Sequence, residues 1–407
     1  MADDTAVSSA TPRRSGTDRQ NTERVLATHV GSLVRPPELV EILELKEHGE
    51  PYDHEAYEAT LRQAVVDVVR QQAEAGIDIV SDGEFGKSVS WSRYVRERLA
   101  GFEFRPDDAN TPVVVAAGTD KRLFPEFYAE YERTQGFVGT LGNWVCTGPV
   151  RYVGHDAVRR DIENLKAGLA GVSDAVVGGF LPVVAPASVV PWRNDEHYAT
   201  EEDLVFAVAD ALNEEYRAIV DAGLRLQVDD AYFASMYDHM TPIGGDYRAW
   251  AELRTEALVR ALHGIPPEHV RYHVCWGSWN APHVGDAPLA EIADLMLRVP
   301  VGAYAIEQAN PRHEHEWRVW ENVALPEGRQ LIPGVISHAT NVVEHPELVA
   351  DRIVRLARLV GRENVLGGTD CGFAQGPFVR RVHPSVMWAK LQALSEGTRL
   401  ATQRLWP

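Results

Sequence analysis

An α/β chain folded as a single (β/α)8 TIM barrel, with an N-terminal tail and one inserted arm, is what this sequence predicts, on three observations. Short apolar runs alternate with long amphipathic helical stretches, which implies a parallel sheet covered by helices. No Pro/Gly/Ser-rich linker divides the 407 residues, so residues 23–407 read as one domain. Polar residues gather where the apolar runs end, which is where a barrel of this kind builds its active site.

Residues 1–22, MADDTAVSSATPRRSGTDRQNT, hold almost no large apolar side chain and read as a disordered tail. The strand candidates then follow at 24–30, 77–81, 144–150, 180–185, 224–228, 270–275, 303–306, 331–336 and 364–368. Nine is one more than a closed barrel takes, and 144–150 is the expected extra piece, a hairpin or arm over one mouth. The helical stretches between include 54–75, 201–222, 247–263 and 346–360. In the last, Pro346 opens the helix and Gly361 falls just past its end.

Composition narrows the function. With 40 Lys and Arg against 59 Asp and Glu, the net charge of −19 repels phosphate backbones and anionic lipid. No nucleic acid and no membrane partner is expected. No stretch approaches the ~18 apolar residues of a membrane span, and the N-terminus has no apolar secretion signal, so a cytoplasmic location is expected. The 3 cysteines, Cys146, Cys275 and Cys371, are too few for a disulfide framework. Each is a buried small residue, a nucleophile or a metal ligand.

The tails of the strands read ATHVGS, DIVSDGE, LQVDD, YHVCWGS, AIEQANP, VISHATN and GGTDCG. In YHVCW, His273 and Cys275 are two apart, and a strand places such residues on one face. Glu307 ends the seventh strand and Cys371 the last, so barrel closure can bring both to the same mouth. One imidazole, two thiols and a carboxylate match tetrahedral zinc. Cys146 has no ligand-type companion nearby. His313 and His315, in NPRHEHEW, read as a solvated face. His338 and Asn341, in SHATN, face the mouth, where they can orient substrate or accept a proton.

These tails resemble the catalytic barrel of cobalamin-independent methionine synthases, in the superfamily that also holds uroporphyrinogen decarboxylases and epoxyalkane:coenzyme M transferases. The resemblance runs from about Val25 to Leu400. It implies that His273, Cys275, Glu307 and Cys371 bind a catalytic zinc, with Glu307 the ligand that gives way to substrate sulfur. It also implies that Val30-Gly31-Ser32, Asp82-Gly83-Glu84 and Val228-Asp229-Asp230 contact the amino acid homocysteine. Glu84 and Asp229 would accept bonds from its ammonium and Ser32 would donate to its carboxylate. The bland alternative is that Glu84 and Asp229 are helix N-caps.

Departures from the family bear on the alkyl donor. Methionine synthases of this type carry a second, N-terminal barrel for a polyglutamylated folate, and 407 residues leave no room for one. The arm motif lacks the family's lysine and reads Cys146-Thr147-Gly148-Pro149. Trp192 matches the tryptophan near the folate ring, and Trp91, Trp276, Trp279 and Tyr232 make an aromatic mouth suited to a bulkier donor. The expected activity is zinc-dependent alkyl, chiefly methyl, transfer to a small-molecule thiol such as homocysteine, with catalytic roles for His338, Glu307 and Asp229. Substrate contacts fall to Ser32, Glu84, Asp229, Trp192 and Trp276. The alternative is addition of a sulfonate thiol to an epoxide, with Arg35 and Arg93 as anion supports; a non-catalytic carrier is disfavoured by the full ligand set. A homo-oligomer is left open.

Overall fold

The computed structural model describes residues 23–88, 90–106, 118–135, 142–189 and 195–407. The expected tail at 1–22 and Trp192 lie outside the described residues. The strands are β1 (Ile79–Ser81), β2 (Leu99–Pro106), β3 (Gly142–Tyr152), β4 (Gly178–Val184), β5 (Arg225–Asp230), β6 (Val270–Val274), β7 (Ala303–Ile306), β8 (Gln330–Ile336), β9 (Gly368–Thr369), β10 (Ala374–Gly376) and β11 (Val379–Arg380).

Seven of them form a parallel sheet in the order β1-β4-β5-β6-β7-β8-β9. Residues 27–28 close it: Ala27 bridges Gly367 beside β9, and Thr28 bridges Ile79 in β1, both parallel. That gives the eight staves of a (β/α)8 barrel. The surplus candidate is β3, as expected, which pairs antiparallel with β2 outside the barrel.

Alternation along each strand divides the apolar residues into two sets. Val80, Leu181, Leu226, Val228, Tyr272, Val274, Tyr304 and Ile306 pack outward in the main core with the helices. Ile79, Phe180, Ala303, Ala305, Ile332 and Leu366 form a separate cluster inside the barrel. On β6 this parity turns Arg271, His273 and Cys275 inward. Arg271 lies over the Phe180 ring at 4.1 Å and donates to Thr28 Oγ1 at 2.9 Å and to the His29 carbonyl at 2.7 Å. It thereby ties the two-residue first stave to the barrel interior.

Helices His54–Glu74, His155–Ala170, Glu201–Asp221, Tyr247–Ala261, Leu289–Arg298, Pro346–Val360 and Pro384–Leu405 surround the sheet. Their starts follow side-chain capping: Asp53 accepts from the Glu55 and Ala56 N–H groups, and Thr200 from that of Asp203. Gly361, at φ 94°, ends Pro346–Val360 where the sequence places its stop.

Arg98, just before β2, fixes the arm. Fully buried, it donates to Asp161 on one helix and Glu215 on the next. Removing one partner of such a buried pair costs about 3–5 kcal/mol. Farther out, the Asp120 carboxylate accepts from the His283 and Val284 N–H groups at 2.6 and 2.8 Å, and Asp238 from that of Thr119 at 2.9 Å. The segment 118–135 is thus docked on the loop that follows β6, on the side of the barrel where the strands end.

Candidate active site

His273 Nδ1 faces the Ala305 carbonyl at 3.3 Å, so that nitrogen carries the proton and Nε2 keeps a bare lone pair. Nε2 is buried and has no partner. Burial holds the ring neutral, with its pKa lowered to about 3. The sulfur atoms of Cys275 and Cys371 lie 3.4 Å apart. The ligand atoms of His273, Cys275 and Cys371 all fall within 4.8 Å of one another. The hydrogen bond to Cys371, followed by burial, pushes the Cys275 thiol up. A neutral imidazole with an orphaned lone pair beside two buried thiols fits a soft divalent cation well.

Glu307 sits between this group and another. Its Oε1 accepts from the Trp276 N–H at 3.0 Å and its Oε2 from Asn310 Nδ2 at 2.8 Å. It borders Cys275, and its ligand-type atoms and those of His338 and Asp370 all lie within 4.8 Å of one another. Burial raises its pKa. Asp370 Oδ1 accepts from the Gln308 and Ala309 N–H groups at 2.8 and 2.7 Å. Burial, then the nearby Glu307 charge, brings Asp370 up to about 8. His338 is buried and held neutral, its pKa lowered to about 3, while Asn341 is exposed and does not share its environment.

The expected amino-acid contacts also converge. Asp229 on β5 is paired in register with His273 on β6. Gln227 Nε2 donates to Asp229 Oδ1 at 2.7 Å. Burial and the neighbouring Glu84 carboxylate raise the pKa of Asp229 well above the usual range. Glu84 adopts φ 62°, a left-handed conformation that a non-glycine residue rarely holds. The Asp82 carboxylate accepts from its N–H at 2.9 Å, and Arg35 donates to its carbonyl. Neither residue is an N-cap; Asp230 caps the helix after β5, accepting from the Phe233 N–H at 3.2 Å. Two glycines let this corner close. A Cβ on Gly31 would lie 2.6 Å from Pro182, and one on Gly372 would lie 1.9 Å from Ser32 Oγ. Ser32 is thereby held against the turn that carries Cys371.

Lys87 and His313 also differ from expectation or lie beyond it. Lys87, buried, lies 3.1 Å from Glu84 Oε2, so one of the two pocket carboxylates already has a cation. Only its place three residues after Glu84 hints at this. His313 is a correction. His315 is exposed as the sequence implies, but His313 is buried, with Nδ1 2.7 Å from Glu316 and Nε2 2.9 Å from Asp286. The chain turns back after β7 into the 3-10 helix Glu314–Glu321, which folds His313 against the Trp276 ring at a centroid distance of 4.6 Å. Facing a carboxylate at each nitrogen, its ring is an imidazolium. Trp276 is fully buried, its indole N–H given to the Ala287 carbonyl at 2.6 Å, and its backbone N–H reaches Glu307. Trp91 and Tyr232 lie near each other, their ring centroids 6.3 Å apart.

No family model matches the chain. It is similar along nearly its whole length to proteins named methionine synthase, including those of Sulfurisphaera tokodaii (25% identical over 381 residues, 93% of each chain) and Thermococcus kodakarensis (24% over 380 residues, 92% of this chain and 93% of that one). Among solved structures, a B12-independent methionine synthase from a Shewanella species in complex with selenomethionine superposes with a TM-score of 0.66 at 21% identity. A putative vitamin-B12-independent methionine synthase from Listeria monocytogenes does so with 0.64 at 17%. Each alignment covers 94% of this chain and 99% of the other. The fold is therefore that of the B12-independent methionine synthase barrels. The resemblance to the cobalamin-independent methionine synthases extends from the strand tails to the whole barrel.

Proposed function

We propose that this protein is a zinc-dependent methyltransferase that moves a methyl or related alkyl group onto the sulfur of homocysteine or a close analogue. The observation that carries this is the juxtaposition of the His273–Cys275–Cys371 group with the Glu84–Asp229 carboxylate pair across neighbouring staves. Bound by the first group, zinc would keep a substrate thiol in its thiolate form at neutral pH. Glu307, bordering Cys275, would be the fourth ligand and the one to give way to substrate sulfur. Glu84 and Asp229 accept from the substrate ammonium, and Ser32 donates to its carboxylate. His338, buried and neutral beside Glu307, orients the substrate at this mouth.

Names of the relatives support a thiol acceptor that is an amino acid, and so does the charge around the pocket. Arg35, invoked with Arg93 for a sulfonate thiol, gives its Nη2 to the Glu84 and Lys87 carbonyls and keeps Nε and Nη1 buried without a partner. Lys87 faces Glu84. Two carboxylates, Glu84 and Asp229, against the one Lys87 suit an ammonium, which together with the names of the relatives favours homocysteine over the sulfonate thiol and epoxide pair.

Protein purified without added metal is expected to carry about one zinc per chain and to methylate homocysteine, followed by mass spectrometry of the thiol. Homocysteine left unmodified with every methyl donor supplied, while a sulfonate thiol adds to an epoxide, would overturn the assignment of substrate. Polyglutamylated methyl-folate is expected to bind poorly, because the arm at Cys146-Thr147-Gly148-Pro149 in β3 lacks the family's lysine. Tight saturable binding by calorimetry would show the opposite. Among the described residues no helix is long and apolar enough to cross a membrane.

A further inference from the structure

We propose that Glu307, His338 and Asp370 form a second site for a first-row divalent cation, sharing the Glu307 carboxylate with the thiol-bearing centre. The ligand-type atoms of the three lie within 4.8 Å of one another, and all three residues are at most 3% exposed. Beyond this grouping, the unpartnered atoms point to a missing ligand. Oδ2 of Asp370 and both polar atoms of the Gln308 side chain are buried without a hydrogen-bond partner, and of the two buried ring nitrogens of His338 at most one is met, by the Ser278 backbone. A buried polar atom left unmatched is destabilising, and such groups in folded proteins otherwise meet water, a ligand or an ion.

The geometry is prepared rather than incidental. Two backbone N–H groups hold Asp370 Oδ1, at 2.8 and 2.7 Å, and leave Oδ2 free. The Trp276 N–H and Asn310 fix Glu307, whose oxygens keep further lone pairs for a metal. Two carboxylates and one neutral imidazole are a harder set than His273, Cys275 and Cys371. They suit Mn²⁺, Fe²⁺, Co²⁺ or Zn²⁺ better than Mg²⁺ or Ca²⁺, which prefer oxygen alone. Positive groups already face this corner: His283 and His313 near Glu307, Arg352 near Asp370, and Arg381 near His338. They offset part of the carboxylate charge, so this ion is held more weakly than the one among the thiols. An ion here would place a Lewis acid beside the thiol site.

The shared role of Glu307 rests on the function proposed above, and the test separates the two. Metal-free protein is given one equivalent of Zn²⁺ and then titrated with Mn²⁺, free Mn²⁺ being read by electron paramagnetic resonance and bound metals by elemental analysis. One further Mn²⁺ per chain is expected, with Asp370→Asn and His338→Ala each weakening it by at least about tenfold while the zinc equivalent stays. If one variant does not fold, the other carries the comparison. No saturable Mn²⁺ uptake, or uptake unchanged in the folded variants, overturns the second site. Zinc seated among the thiols stays in Asp370→Asn and His338→Ala, whereas zinc that has lodged in the second site is lost from them and blocks manganese in the wild type, so failure of the first centre shows as zinc that the two variants do not retain.

Discussion

Cys371→Ser is expected to strip the protein of its tightly held metal and, with it, of methyl transfer. The mutated sulfur lies 3.4 Å from that of Cys275 and within 4.8 Å of the His273 nitrogen, and no other thiol among the described residues is near enough to replace it. Loss of an outer partner of a metal ligand already weakens binding by roughly 10–100-fold. Loss of a thiolate ligand should exceed the upper end of that range, taking the metal content from about one equivalent to less than about a tenth. Cys275→Ser should behave alike, and Cys146→Ser should not, because Cys146 lies on β3 outside the barrel. The fold should persist in all three, since each change removes little buried volume. Metal loading of the wild-type apoprotein should also release roughly two protons per ion, as both thiols deprotonate on binding. Elemental analysis and proton release in weakly buffered solution check this together. A Cys371→Ser protein that keeps a full equivalent would dismiss the site.

Much of this centre was legible in the sequence because a strand has a period of two. His273 and Cys275 face one way whatever the rest of the chain does, and the apolar residues at 270, 272 and 274 fix which way that is. Strand order then places Glu307 and Cys371 at the same end. What the strand period does not contain is how far a loop residue travels beyond its strand. Glu307 borders Cys275 and also groups with His338 and Asp370, its two oxygens held by the Trp276 N–H and Asn310.

The arm shows a second limit. β3 was visible as a surplus apolar run, but its partner β2 was not. LAGFEFRP is short, and Gly101, at φ 96°, breaks its register between Ala100 and Phe102. The alternation that would have announced a strand is interrupted at that point. Its pairing lies about forty residues down the chain, where local propensity carries no information. His313 was misread for a related reason. A solvent-facing turn and a buried imidazolium share the same local pattern of acids and histidines, and only the return of the chain after β7 distinguishes them.

That buried imidazolium gives the protein an alkaline limit to its stability. Burial works against charge on His313, but the Asp286 and Glu316 carboxylates overcome it and raise its pKa to about 10. His283 shares Asp286 at 3.0 Å and gives its other nitrogen to the Trp279 carbonyl at 2.9 Å; burial opposes its charge too, yet its pKa rises to about 9. In the unfolded chain both titrate near ~6.5. Between that value and about 9–10 the folded state therefore binds more protons than the unfolded one, and stability must fall as pH rises. The contribution is complete below pH ~6.5 and is lost as pH climbs through the folded values. Each tenfold in proton affinity corresponds to about 1.4 kcal/mol, so several kcal/mol are at stake. Urea unfolding of the wild type between pH 6.5 and 10 should show a steady decline. His313→Gln should be less stable at pH 6.5, having left Glu316 without its cation and Asp286 with His283 alone, and its decline over the same range should be distinctly shallower. Parallel declines in the two proteins would mean that His313 is neutral in the folded state and that Asp286 or Glu316 carries the proton instead.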